Sequence, residues 1–334
     1  FITHYYLCLF IFIFPHMKPK NCLIFGASGL IGRHLIRKLT QNNFKVTALT
    51  RNIHQKGYLL KTQGNPGYID VVETSIFNEN KIRSLIEKSD ICINLIGILY
   101  QRGKKNTFKN IHEEFPNFLS KLCKEYNVKQ FIHLSALGVE KAKDSVYARS
   151  KLNGEIIIRK NFEEVNILRP SVIYSVDDNF TTNFMTLLSL SPIFPLYYNG
   201  STLFRPIYIS DLTEIIYQII IKNMKSLTVE CIGPEEISLK DILKKLLKLI
   251  GKKRLLLPVP LIMAQVSAFF FQLFPKPLIT LDQIKLLKYP NTPSGDCKTN
   301  FDLNMPSYAN FENEVKKYSY MWREGGQFAK FKEE

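Results

Sequence analysis

Acidic side chains are scarce in this chain of 334 residues: 29 Asp and Glu stand against 45 Lys and Arg, a net charge of +16. The excess is either a solubilising lysine-rich surface or an attraction to an anionic lipid surface or an acidic partner. No zinc-finger spacing and no aromatic RNA-binding segment accompanies it, so no nucleic-acid partner is expected. Cysteine is also sparse. The six residues Cys8, Cys22, Cys92, Cys123, Cys231 and Cys297 contain no C-x-x-C pair. That excludes a disulfide framework and a zinc site, and leaves them as small core residues in a reducing compartment. No cluster of His, Cys and carboxylates has metal-ligand spacing, so no metal is expected.

Long hydrophobic runs are missing as well. Residues 1–15 are apolar and free of Lys, Arg, Asp and Glu, but a membrane-spanning helix needs roughly 20 residues. They also lack arginine, a basic start and a small-residue cleavage site, so they do not resemble a transit or signal peptide. The expectation is that Met17 is the true start and 1–16 an extraneous leader, with a membrane-dipping anchor as the alternative. Residues 255–274 are uncharged too, with Lys252, Lys253 and Arg254 before them and Lys276 after. Pro258 and Pro260 break the start, leaving about 14 helical residues, too few to span. This segment is either a buried helix or an apolar face with a basic rim, resting on a membrane or a partner.

What the chain does have is an apolar fraction of 46%, ample for a sizeable core. Strand-like runs at 21–26, 45–50, 68–72, 91–96, 129–135 and 165–169 alternate with helical stretches near 30–41, 78–88, 107–126 and 146–160. Such alternation implies βαβ units and a parallel sheet covered on both faces. After Pro170 the alternation breaks down. Segments 191–208 and 254–260 are rich in proline and aromatic residues, and helical patterns recur at 210–222, 238–250 and 278–288. This reads as a second, smaller lobe.

The first strand and helix enclose Gly26, Gly29 and Gly32. Glycines there let the backbone approach a pyrophosphate, and the helix N-terminus offers its N–H groups and dipole to the anion. This motif points to a nicotinamide dinucleotide. The second strand ends Ala48-Leu49-Thr50-Arg51-Asn52, with no acid between Val46 and Lys56. An acid at this point would meet the ribose hydroxyl of NAD, whereas an arginine accommodates the 2′-phosphate of NADP. Arg51, with Arg33 beside it, therefore favours NADP(H) over NAD(H).

Tyr147 and Lys151 lie four residues apart, on one face of a helix. A nearby ammonium favours the phenolate, so the Tyr147 pKa is expected to fall from about 10 toward neutrality. Such a Tyr exchanges a proton with a substrate oxygen while hydride moves to or from nicotinamide. Ser135 ends a strand at the sheet edge where ligands bind and is expected to hold the same oxygen. A second match, Tyr100 and Lys104, falls in a Gly/Lys-rich loop without this context.

Together with Asn94-Leu-Ile-Gly97, Arg169-Pro-Ser-Val-Ile-Tyr174 and Phe204-Arg-Pro-Ile-Tyr-Ile-Ser-Asp211, these residues resemble the extended or atypical short-chain dehydrogenase/reductase superfamily, from about residue 20 to 290. Asp178-Asn-Phe, Ile232-Gly-Pro-Glu, the Leu-Pro-Val-Pro-Leu segment and Thr280-Leu-Asp-Gln-Ile-Lys-Leu-Leu are similar to the branch of dehydrogenase-like accessory subunits of respiratory complex I and their alphaproteobacterial relatives. The resemblance implies an α/β fold. An NAD(P)-binding Rossmann domain, a doubly wound parallel sheet, would occupy 17–175. A smaller C-terminal α/β lobe would occupy 176–334, its chain crossing back to the first domain. The implied cofactor contacts are Gly26, Ser28, Gly29, Leu30, Ile31, Gly32, Arg51, Ser75, Asn94, Leu95, Gly97, Tyr147, Lys151 and Pro170, and the implied catalytic set is Ser135, Tyr147 and Lys151. Two departures stand out: Ser175 where the superfamily often has Gly, and Ser75 where an acid usually meets adenine.

The branch resemblance implies tight NADPH binding and a structural or assembly role among complex I subunits. The protein would be peripheral on the cytoplasmic face of a bacterial inner membrane or the matrix face of a mitochondrial one. The alternative is a soluble cytoplasmic NAD(P)-dependent reductase, epimerase or dehydratase acting on a small molecule such as a quinone precursor or nucleotide sugar. The cofactor preference is checked by fluorescence titration: NADPH is expected to bind more tightly than NADH, and the reverse order sinks it.

Overall fold

The computed structural model describes residues 19–263, 265, 268, 272, 277 and 279–328. The leader 1–16, Met17 and parts of the 255–274 segment lie outside them.

Strands β1 (Asn21–Phe25), β2 (Lys45–Thr50), β3 (Ile69–Glu73), β4 (Ile91–Asn94), β5 (Gln130–Leu134) and β6 (Asn166–Pro170) pair in parallel. Two later segments, Thr228–Cys231 and Lys298–Thr299, extend the same sheet beyond β6, also in parallel. The order across the eight strands is Lys298–Thr299, Thr228–Cys231, β6, β5, β4, β1, β2, β3. The order in which strands are added therefore reverses between β1 and β4. In doubly wound sheets the loops leaving the strand ends diverge at that point and open a ligand crevice.

Alternation along β1 builds the two faces. Cys22 and Ile24 join a core with helix α1 (Leu30–Gln41), through Leu35, Ile36 and Leu39. Leu23 and Phe25 point to the other face. There they meet Leu119 and Leu122 of α4 (Phe115–Glu125) and Ile158 of α5 (Val146–Asn161). Strands buried on both faces read as continuous apolar runs, which is why β1 and β4 are legible in the sequence. Two more helices, α2 (Ile53–Lys61) and α3 (Glu79–Ile86), complete the first half. The helical stretch expected over 107–126 divides in two: a π-helix at Lys109–Glu114 runs into α4, with Pro116 in its first turn.

In the second lobe, α6 (Thr181–Leu190), α8 (Leu239–Ile250) and α10 (Phe311–Ser319) pack around Tyr174, Leu243, Leu246 and Phe311. Helix α7 (Ile209–Ile221) returns to the sheet and covers α1. The expected helix 278–288 is confined to α9 (Leu281–Leu286), started by a Thr280/Gln283 capping box. No helix among the described residues is long and apolar enough to cross a membrane.

The arginine of the Arg-Pro motif is part of this frame. Arg169 of β6 donates Nε to Glu155 Oε1 of α5 at 3.1 Å and Nη2 lies 2.7 Å from Glu140 Oε1. Arg169 and Glu155 are both nearly inaccessible, whereas Glu140 is partly exposed. Breaking a buried pair strands a charge, so Glu155→Ala is expected to cost about 3 kcal/mol in urea unfolding. Glu140→Ala, at the surface, is expected to cost under about 1 kcal/mol.

Candidate nucleotide and catalytic site

The loop leaving β1 cannot be built with ordinary side chains. A Cβ at Gly32 would lie 2.4 Å from the Ala27 carbonyl oxygen and 2.5 Å from that of Gly26. Gly26 has φ +80°, and its Cβ would press on the Leu95 backbone after β4. Helix α1 starts at Gly29 with no side-chain cap and no acid in its first turn. Its first N–H groups and the positive end of its dipole are left for an anion. The residues therefore fit a dinucleotide: the cradle is one a side chain would fill, and the donors suit a pyrophosphate.

Gly26, Ser28, Gly29, Arg51, Ser75, Leu95 and Gly97 line one cleft of about 270 Å³. Arg51 is exposed at its rim. Ser75 also serves its own turn, its Oγ accepting from the Phe77 N–H. Arg33, expected to assist Arg51, is engaged elsewhere: its Nη2 lies 2.7 Å from Asp177 Oδ2 in the second lobe. A hydrogen bond from His34, with help from Ser175 and Arg33, holds the Asp177 carboxyl well below the usual range against partial burial.

Ser135, Tyr147, Lys151 and Pro170 line a second cavity of about 520 Å³, which shares Leu95, Gly97 and Ile98 with the first. Leu30, Ile31, Gly32 and Asn94 line neither cleft. Leu30 and Ile31 open α1, and Gly32 is its point of closest approach to the loop. Asn94 is fully buried: its Oδ1 accepts from the Ile96 N–H and its Nδ2 donates to His133 Nδ1. It shapes the cofactor wall through the backbone.

The Tyr147 expectation is corrected. Burial first, and the Asp282 charge second, push its hydroxyl up to about 12. Asp282 of α9 accepts from Ser145 Oγ (2.8 Å), Val146 N–H (2.8 Å) and Tyr147 N–H (3.0 Å), capping α5 from the second lobe. The Lys151 ammonium donates to the Leu134 carbonyl at 3.0 Å, and burial lowers its pKa to about 8 against the pull of Glu155. Ser135 Oγ is buried without a hydrogen-bond partner, an exposed cost that a ligand oxygen would relieve.

His112, which no sequence motif marks, connects these parts. Its Nε2 accepts from the Ile98 N–H on the cofactor wall, so the ring proton sits on Nδ1, which donates to Ser150 Oγ on α5. Its ring also packs edge-on against Tyr147. Its one visible signal is its place in a π-helix, a form that recurs at functional sites. Burial and the Lys151 charge hold its pKa down to about 2. The unfolded chain, with a value near 6.5, therefore takes up a proton that the folded chain refuses. Stability is intact above about pH 6.5 and falls below it, by about 2 kcal/mol from this residue between pH 7 and pH 5. Urea unfolding at both pH values is expected to show that His112→Asn removes this share. An unchanged slope would mean that His112 protonates in the folded protein.

Residues 26–186 match the family model described as NAD(P)H-binding. The chain is 25% identical over 285 residues to the mitochondrial NADH-ubiquinone oxidoreductase 40 kDa subunit of Neurospora crassa, covering 84% of this chain and 74% of that one. It is 26% identical over 283 residues to the mitochondrial NADH dehydrogenase [ubiquinone] 1 alpha subcomplex subunit 9 of Mus musculus, covering 82% and 74%. Its fold matches that of dTDP-glucose 4,6-dehydratase from Bacillus anthracis in complex with NAD, with a TM-score of 0.67 at 15% identity over 91% of this chain and 96% of that one. Residues 26–186 thus match an NAD(P)H-binding family model, the fold is shared with that dehydratase structure, and over most of its length the chain is similar to subunit 9 of the complex I alpha subcomplex.

Proposed function

We propose that this protein is an NADP(H)-binding accessory subunit of respiratory complex I, peripheral at the inner membrane, in which the nucleotide is mainly structural. The observation that carries this reading is the similarity to complex I subunits over 84% of the chain, which spans both lobes rather than the nucleotide domain alone. The state of the Tyr/Lys pair agrees with it. Tyr147 is held protonated by burial and Asp282, and Lys151 gives one of its three N–H groups to a backbone carbonyl. Arg51 at the cleft rim, with no acid at the end of β2, supports NADP(H) over NAD(H). An exposed apolar strip supports docking on the complex or on an anionic membrane surface. It includes Ile193 and Leu255, which pair across neighbouring strands, and Leu255 follows Lys252 and Lys253 in sequence.

A second reading, a reductase or epimerase for a small molecule, is favoured by one observation: the orphaned Ser135 Oγ in the cavity that Tyr147 and Lys151 also line.

Native electrophoresis of respiratory membranes separates the two. The protein is expected to migrate with complex I, and Gly32→Val, which closes the nucleotide cradle, is expected to lower the amount of assembled complex several-fold. Tyr147→Phe is expected to leave both assembly and nucleotide binding unchanged. Migration only as a free protein, with turnover lost in Tyr147→Phe, overturns the subunit reading in favour of the enzyme.

A further inference from the structure

The larger cavity discriminates between substrate classes. Its walls are mostly apolar: Leu137, Val172, Phe180, Phe204, Leu286 and Leu287 contribute, and Lys151 is the one charged side chain among its described lining residues. Most of its polar groups are already satisfied within the protein. Lys151 Nζ donates to Leu134 O, Ser171 Oγ donates to Asn291 Oδ1 at 2.6 Å, and Gln283 Oε1 accepts from Thr280 N–H. Groups left to meet a ligand include Ser135 Oγ, which has no partner, the Tyr147 and Tyr289 hydroxyls, Asn179 and the other N–H groups of Lys151. Apart from Lys151, the described cations nearby do not line it. Arg205, next to Phe204, donates to the Pro234 carbonyl and lies over the Phe301 ring, and it is not part of the lining. Arg102 and Lys285 line the neighbouring cavity, together with Asp282.

A nucleotide sugar would bring a doubly charged diphosphate into this space. Burying an unpaired anion costs several kcal/mol, and no arginine fork among the described lining residues offsets it. An apolar compound with one carbonyl or hydroxyl meets no such cost. Its oxygen would satisfy Ser135 Oγ, and its body would displace water from about 520 Å³ of apolar-walled space, a volume usual for small-molecule sites.

We infer that the cavity beside Ser135 and Tyr147 takes an uncharged, largely apolar carbonyl or alcohol and excludes nucleotide sugars. This rests on the second reading above, in which the cavity is a substrate site.

The test is binding, not turnover. The full-length protein, saturated with NADP+, is titrated with prodan, an uncharged naphthyl ketone whose emission reports an apolar environment. The expected result is one-to-one binding with a blue shift. Leu286→Arg and, separately, Leu99→Arg at the mouth are each expected to weaken it by roughly tenfold or more, because each plants a charge in the lining. Dinucleotide binding should be unchanged in both, which shows that they fold. UDP-glucose should not displace the probe. Displacement by UDP-glucose overturns the ligand class while keeping the cavity as a substrate site. Failure of both compounds to bind removes the substrate site itself. Prodan binding that neither variant weakens places the probe on the exposed apolar strip, which also overturns the inference.

Discussion

Helix α1 meets the loop after β1 so closely at Gly32 that a single added carbon would sit 2.4 Å from a carbonyl oxygen. That contact sets the direction of the helix axis, and with it the aim of the uncapped N–H groups just after Gly29. It also fixes where the cleft opens, because Gly26 in the same loop lies against the backbone of Leu95 at the end of β4. Strands β1 and β4 are neighbours at the point where the sheet order reverses. One short-range packing constraint thus joins the nucleotide cradle to the wall that it shares with the larger cavity.

The second lobe acts on this site through electrostatics as well as shape. Helix α5 carries Tyr147 and Lys151 and is held from three directions. Asp282 closes its N-terminus, His112 ties Ser150 to the cofactor wall, and the Leu134 carbonyl takes the Lys151 ammonium. A capping carboxylate offsets the positive end of the helix dipole. Here it also disfavours the phenolate of Tyr147, so the contact that stabilises the helix works against an activated tyrosine. That conflict fits a protein in which holding the nucleotide matters more than turning over a substrate.

Legibility in the sequence followed burial. The runs that became β1 and β4 are nearly continuous in apolar residues because both faces of the sheet are covered. Helix α2 was not anticipated: its sequence Ile-His-Gln-Lys-Gly-Tyr-Leu-Leu-Lys is mostly polar and contains Gly57, a poor helix former. Helix α6 was hidden by its threonines, which lower helix propensity and hydrogen-bond locally. The strands Thr228–Cys231 and Lys298–Thr299 are too short to carry a period. Their place in the main sheet depends on pairing with β6 and with each other.

The chain's own residues determined the dinucleotide cradle, since a glycine motif between a buried strand and an amphipathic helix is a local property that needs no distant partner. They also placed Ser135, Tyr147 and Lys151 in one cavity, because strand ends and helix spacing are set by periodicity. The ionisation of that set was decided only by tertiary structure. The expected fall in the Tyr147 pKa assumed that Lys151 was its nearest influence, but the acid that matters lies 135 residues away on α9, and the lysine is turned to a carbonyl. The same holds for Arg33, claimed by Asp177 of the second lobe, and for His112, whose bonds run to two elements it does not adjoin in sequence. A pKa responds to burial and to charges within a few ångströms, and those distances exist only after the two lobes have closed on each other.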